Sequence, residues 1–351
     1  MPSASSNFLL PLCAILVFYN TDASMGDVGS PAPGNTQNQT FSALLAFGDS
    51  ILDTGNNNNL FTVTKCNFPP YGRDFPGGKA TGRFGNGKVF SDLIGSLGIK
   101  PVMPAFLDPN FQNEDLETGA CFASGGSGLD KLTARIQNIL SITDQFNLFK
   151  QYVAKLEGAV GAEKANATIS NSLFLTSSGN NDIGITYFSI LRNDINQYTT
   201  QLVGWASSFL KVKDLLIFLF RILFNIELKK KLKYLSSQWN LVKGFAWTGS
   251  KELLDLIQNP NKYGFDDSTR GCCGTGTFEV AYMCNQLNPF TCPNTSNQVF
   301  WDTAHPSERA IQDYCLGSHG QNFTAAFGLI CCFSFKFLLF VSNVLTFSVH
   351  Q

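Results

Sequence analysis

Between Leu44 and Asn59 the chain reads Leu-Leu-Ala-Phe-Gly-Asp-Ser-Ile-Leu-Asp-Thr-Gly followed by four asparagines. An apolar run of strand length breaks at Gly-Asp-Ser and apolar residues then resume, the pattern of a buried strand handing over to a helix. This places Ser50 at the carboxyl end of a strand. In open α/β sheets that edge is where ligands bind, and Gly48 permits a tight backbone that a side chain would obstruct. Gly-Asp-Ser arises by chance in roughly one chain in ten of this length, so its weight depends on what accompanies it.

Three further stretches carry chemistry. Cys121-Phe122-Ala123-Ser124-Gly125-Gly126-Ser127-Gly128 has enough glycine to aim a backbone N–H into a site, as an oxyanion requires. Ser172 to Ser177 is a second strand-like run, ending in Ser178-Gly179-Asn180-Asn181-Asp182. The amide of Asn181 is a neutral donor suited to developing negative charge. Near the carboxyl end stands Trp301-Asp302-Thr303-Ala304-His305-Pro306-Ser307. With three histidines in the chain, a base for Ser50 is His305, His319 or His350, and only His305 has a carboxylate at close register. Asp302 and His305 can meet on one turn, the carboxylate holding the imidazole tautomer while the other nitrogen takes a proton.

Phe47-Gly48-Asp49-Ser50 with Asp53-Thr54-Gly55-Asn56-Asn57-Asn58, Pro69-Pro70-Tyr71-Gly72, Thr81-Gly82-Arg83-Phe84, Gly179-x-Asn181-Asp182 and Asp302-x-x-His305 resemble the plant GDSL esterase/lipase branch of the SGNH hydrolases. The resemblance covers about Phe41 to Leu210 and Glu252 to Ile311, with four of five expected blocks. It implies a doubly wound, flavodoxin-like α/β/α fold with a mainly parallel sheet. It also implies a serine esterase/lipase that hydrolyses carboxylic esters through an acyl-enzyme, with no metal or other cofactor. Ser50 would be the nucleophile, His305 the base and then acid, and Asp302 its orienting partner. Ser50 N–H, Gly126 N–H and the Asn181 side chain would hold the oxyanion, with Gly125 the next choice after Gly126. Relatives often carry Asn where Cys121 stands, a departure expected to loosen this loop.

The fourth block is missing. Relatives have a strand ending in a Gly-Ala-Pro-Pro-like turn, whereas residues 212–247 contain Leu215 to Phe224, nearly all apolar, and then Lys229-Lys230-Lys231. Three readings compete: a substitute strand at Leu215–Phe220 with a basic helix at Ile226–Leu235, a hydrophobic-basic element touching membrane, or translated non-coding sequence from a faulty gene model. The corresponding alternative to an active esterase is a catalytically impaired glycoprotein of the same family, secreted or membrane-attached.

Between the blocks, Val89 to Leu97 and Asp144 to Glu157 have helical apolar spacing, the latter capped by Asp144 and stopped by Gly158. Gly77 to Gly87 reads as turn chemistry outside the core. Residues 1–23 read as a signal peptide, because Phe8 to Tyr19 is apolar but too short to span a bilayer, and small residues follow. Residues 24–40 are a disordered lead-in, 41–312 the hydrolase domain and 313–351 an atypical tail whose Ala325 to Val349 stretch suits a membrane span, a removable anchor or, equally, a mis-predicted carboxyl end. Ten cysteines and sequons at Asn38, Asn166, Asn294 and Asn322 suit an oxidising secretory compartment. Among Cys272, Cys273, Cys284 and Cys292, disulfides fit better than zinc, and the adjacent Cys272 and Cys273 are expected to reach different partners. Net charge is −1, which supplies no basic field for nucleic acid. The partner expected is a small-molecule or lipid ester.

Overall fold

A computed structural model of the chain describes residues 15–19, 41–188, 194–210, 243–247, 255–288 and 290–316. Its centre is three parallel strands, β2 (Ala43–Gly48), β3 (Gly119–Cys121) and β4 (Ser172–Ser177), in the order β3-β2-β4. All three are buried along their whole length, as expected of strands covered on both faces. The order is that of the first three strands of a flavodoxin-like sheet.

Side-chain alternation along β2 explains the layers. Leu45 and Phe47 face a core with Phe122, Phe146, Phe149, Tyr152 and Phe174, whereas Leu44 and Ala46 face one with Phe90, Leu93, Ile94, Met103 and Ile311. The first core is supplied largely by α3 (Ile142–Val160), and its rings interlock, Phe47 lying 4.9 Å from Phe122 and 5.6 Å from Phe149. The second is closed by α1 (Phe90–Gly95) and by α6 (Glu308–Leu316), which runs past the domain boundary drawn at residue 312. The expected α/β class is therefore present, with a helical layer on each face of a mainly parallel sheet.

Several local expectations need correction. No regular helix follows Ser50: Asp53 Oδ1 accepts the N–H groups of Gly55 and Asn56, an Asx-type turn that competes with helix. In α3 the cap is Ser141, and Asp144 instead returns a bond to the Ser141 N–H, so the helix starts earlier than predicted. It also passes Gly158 and ends at Gly161, whose φ is +85°. The Gly77–Gly87 segment is not all surface: Arg83 is buried and makes a bidentate pair with Asp92 at 2.7 Å, with further bonds to the Thr54 and Met103 carbonyls. Such a pair holds a loop well because a planar guanidinium satisfies two carboxylate oxygens at once. A further helix, α5, spans Ile195–Leu210.

Beyond β4 the sheet continues with β1 (Ile15–Tyr19) and β5 (Lys243–Trp247), each antiparallel to its neighbour in the order β4-β1-β5. β1 lies within the segment that the sequence reads as a signal peptide. The substitute elements anticipated at 215–220 and 226–235, the lead-in at 24–40 and the 325–349 stretch lie outside the described residues. Among the described residues no helix is long and apolar enough to cross a membrane.

Candidate active site

The carboxyl ends of β2, β3 and β4 open on one edge of the sheet, and each delivers one of the predicted stretches. Ser50 follows β2, the Gly125-Gly126 loop follows β3, and Asn181 follows β4. The loop before α6 adds Asp302 and His305. His305 Nε2 lies 2.8 Å from Ser50 Oγ, and His305 Nδ1 lies 2.8 Å from both carboxylate oxygens of Asp302. Asp302 Oδ1 also accepts the N–H groups of Ala304 and His305 at 2.9 and 2.8 Å. The i, i+3 spacing thus closes on a single turn, as the sequence predicts. With Nδ1 against a carboxylate, the ring proton sits on Nδ1 and the Nε2 lone pair faces the serine hydroxyl.

Ser50 is 8% exposed, His305 6% and Asp302 0%, a gradient from a reachable hydroxyl to a dry carboxylate. In such surroundings the polar contacts are stronger than they would be in water.

The oxyanion candidates separate on hydrogen bonding. Gly125 N–H donates to Asp53 Oδ2 at 2.8 Å and is spent. Among the described residues neither Ser50 N–H nor Gly126 N–H has a protein acceptor. Gly126 has φ +85°, a conformation that calls for glycine, and a Cβ there would meet the end of the Gln137 side chain at 2.5 Å. Asn181 Nδ2 donates to the Ser127 carbonyl at 2.9 Å, which ties this amide to the same loop and leaves its second hydrogen for another acceptor.

The sequence reading did not find what holds these groups in register. Asn56 Nδ2 bonds the Cys121 and Ala123 carbonyls, and Asn57 Nδ2 bonds the Gly125 carbonyl, so the asparagine run after Ser50 clamps the glycine loop. Cys121 does not leave the loop slack: its buried thiol donates to the Leu52 carbonyl at 3.0 Å. Burial pushes that thiol up to about 12. Asp182 accepts from Leu129 N–H, Asp130 N–H and Thr133 Oγ1, linking the Asn181 turn to α2 (Lys131–Gln137) and the residues before it. Gln145 of α3 takes both polar groups of the Gly48 backbone and the Ser127 hydroxyl. The Asn run and the Gly-x-Asn-Asp pattern were visible signals; Gln145 sits among core residues of a helix and offered none.

Asp49 gives a pH dependence. Its Oδ1 accepts from Ile51 N–H and the Ser177 hydroxyl, its Oδ2 is buried without a partner among the described residues, and burial raises its pKa from 3.8 to about 7. The folded protein therefore keeps a proton that the unfolded chain loses near pH 3.8. Stability falls as pH rises through that window, and the full cost, on the order of a few kcal/mol, stands above pH 7. Asp49→Asn removes this slope, so in urea titrations from pH 5 to 8 the stability gap in favour of the variant should widen with pH. A gap that stays constant would rule out an ionising Asp49.

The disulfides are Cys272–Cys292 and Cys273–Cys284, so the adjacent cysteines do take different partners.

The family described as GDSL-like lipase/acylhydrolase matches residues 44–312. The Arabidopsis thaliana GDSL esterase/lipase At1g59030 is 42% identical over 339 residues, covering 87% of this chain and 95% of its own. At1g23500, an esterase/lipase of the same plant, is 45% identical over 305 residues, covering 77% and 86% respectively. A third relative, Arabidopsis GDSL esterase/lipase EXL3, is 40% identical over 307 residues, covering 77% and 84%. The matched span begins in the strand that presents Ser50 and ends seven residues after His305, taking in every group assembled at the sheet edge, and by this the chain belongs to the GDSL-like lipase/acylhydrolase family.

Proposed function

We propose that the chain is a secreted serine esterase/lipase that hydrolyses carboxylic esters through an acyl-enzyme. Family membership already implies an ester hydrolase; the finer reading assigns the steps. Ser50 Oγ attacks the ester carbonyl carbon as its proton passes to His305 Nε2, and Asp302 stabilises the imidazolium. The carbonyl oxygen, now negative, is received by Ser50 N–H, Gly126 N–H and the Asn181 amide. Collapse expels the alcohol, which takes the proton back from His305. Water, activated by the same imidazole, then releases the acid and restores Ser50.

The observation that carries this reading is the continuous line from Asp302 through His305 to Ser50, each link 2.8 Å. It favours turnover over the alternative of an impaired glycoprotein, because a displacement of about 1 Å in such a set costs roughly a hundredfold in rate. Passage through an oxidising compartment is supported by the two disulfides and by the apolar run from Phe8 to Tyr19. Glycosylation is supported by the exposure of Asn166 and Asn294.

A fluorophosphonate probe tests the proposal. The purified, folded full chain should become labelled, and Ser50→Ala should not. A well-folded parent protein that resists the probe would overturn the reading and restore the alternative.

A further inference from the structure

The Asp302 carboxylate is fully buried, so its oxygens call for hydrogen-bond donors. Its Oδ2 receives, besides the imidazole, the hydroxyl of Tyr71 at 2.6 Å, from a residue 231 positions away. Tyr71 is itself 1% exposed, and its ring meets the edges or faces of Trp301 and Phe68 at 5.8 and 5.9 Å. The same hydroxyl accepts the N–H of Ala281 at 2.9 Å. A backbone N–H can only donate, so that bond occupies an oxygen lone pair and leaves the phenolic hydrogen for Asp302. Ala281 has φ +50°, a left-handed conformation rare outside glycine and asparagine, and it lies within the loop closed by Cys273–Cys284. The disulfide loop holds a strained residue whose N–H sets the direction of the Tyr71 hydroxyl.

We propose that Tyr71 is a positioning residue that fixes Asp302, and through it the His305 imidazole, by donating its phenolic hydrogen to Asp302 Oδ2. The inference rests on the serine-hydrolase reading above. Tyr71 takes part of the charge on Oδ2 and stops the carboxylate rotating, so both oxygens stay on Nδ1. The other ionisable groups around this line are Cys66 beside the Tyr71 hydroxyl, Asp53 behind Cys66, and Asp49, whose field reaches His305. Burial and the Asp302 charge keep both the Cys66 thiol and the Tyr71 phenol protonated.

Tyr71→Phe keeps the ring packing and removes the donor. Asp302 then carries a more concentrated charge and holds the imidazolium more tightly, and it is itself more readily protonated. Both effects push the acid limb of the kcat/KM profile to higher pH, by about one unit for a charge-assisted bond of this kind. For hydrolysis of p-nitrophenyl acetate by the full chain between pH 5 and 9, we expect that shift together with a kcat about tenfold lower and an unchanged KM. Incorporating 3-fluorotyrosine at position 71, a stronger donor of nearly the same shape, should move the limb the opposite way. This second chain carries the test if the Phe variant fails to fold. An active parent enzyme whose acid limb stays put in both variants overturns the proposal, even if activity falls, because packing alone would then account for the loss. A parent that neither labels with fluorophosphonate nor turns over ester overturns the hydrolase reading itself, and this inference with it.

Discussion

Replacing His305 with alanine is expected to lower kcat/KM toward p-nitrophenyl acetate by at least about a thousandfold, with little change in melting temperature. Among the described residues the imidazole is the base hydrogen-bonded to Ser50 Oγ, and its two nitrogens are both committed, one to Ser50 and one to Asp302. Without it the serine proton has no acceptor, and a neutral hydroxyl is a weak nucleophile. In the proposed mechanism the residual rate would come from the N–H groups of Ser50 and Gly126 and from substrate binding, which the substitution leaves intact. For that reason Ser50→Ala with His305→Ala should be no slower than either single variant, since the two residues act as one unit. Rates that multiply in the double variant would show that they work independently, contrary to the 2.8 Å contact between them.

The largest effect on folding is expected at Gly48, immediately before the Asp-Ser turn. Its φ is +121°, and an added Cβ would stand 1.7 Å from the Ser177 carbonyl oxygen and 2.7 Å from the carbonyl carbon. Both atoms are backbone of β4, a central strand, so no flexible side chain can give way. The glycine's N–H and carbonyl are also fixed by Gln145, and its carbonyl accepts the Ser124 N–H as well. Gly48→Ala should therefore cost more than about 4 kcal/mol, a large share of the 5–15 kcal/mol typical of a domain. In thermal melts followed by circular dichroism this is a loss of roughly 10 °C or more, or no folded protein at all. Gly158→Ala is the matched control: nothing lies within 4 Å of its added Cβ, it sits inside α3, and it should stabilise by about 0.5–1 kcal/mol. A Gly48 variant that melts with the parent would show that β2 and β4 can separate without cost.

How the pieces were legible differs from residue to residue. β2 and β4 could be read because each is a short apolar run closed by glycine-containing turns, and the observed Ser172–Ser177 has the bounds its pattern predicts. The Asp302–His305 pair could be read because three residues of spacing close on one turn whatever surrounds it. The helix expected after Ser50 failed because Asp53 satisfies the next backbone N–H groups with its own side chain, a local competition that hydrophobic pattern does not register. The cap of α3 was misplaced for a similar reason: Ser141 and Asp144 bond reciprocally, and either one alone suits a helix start.

By itself, then, the sequence determined the strand that presents Ser50, the order in which the glycine loop, Asn181 and His305 follow it, and the chemistry these side chains can perform. Tertiary structure decided the rest: that Gly125 spends its N–H on Asp53 while Gly126 keeps its own, that Cys273 pairs with Cys284, that Gln145 grips Gly48, and that Tyr71 meets Asp302. The physical reason is range. Strand pattern, turn chemistry and an i, i+3 pair are set by forces acting within a few residues, whereas a hydrogen bond between positions 72 or 231 apart exists only once the chain has closed around it.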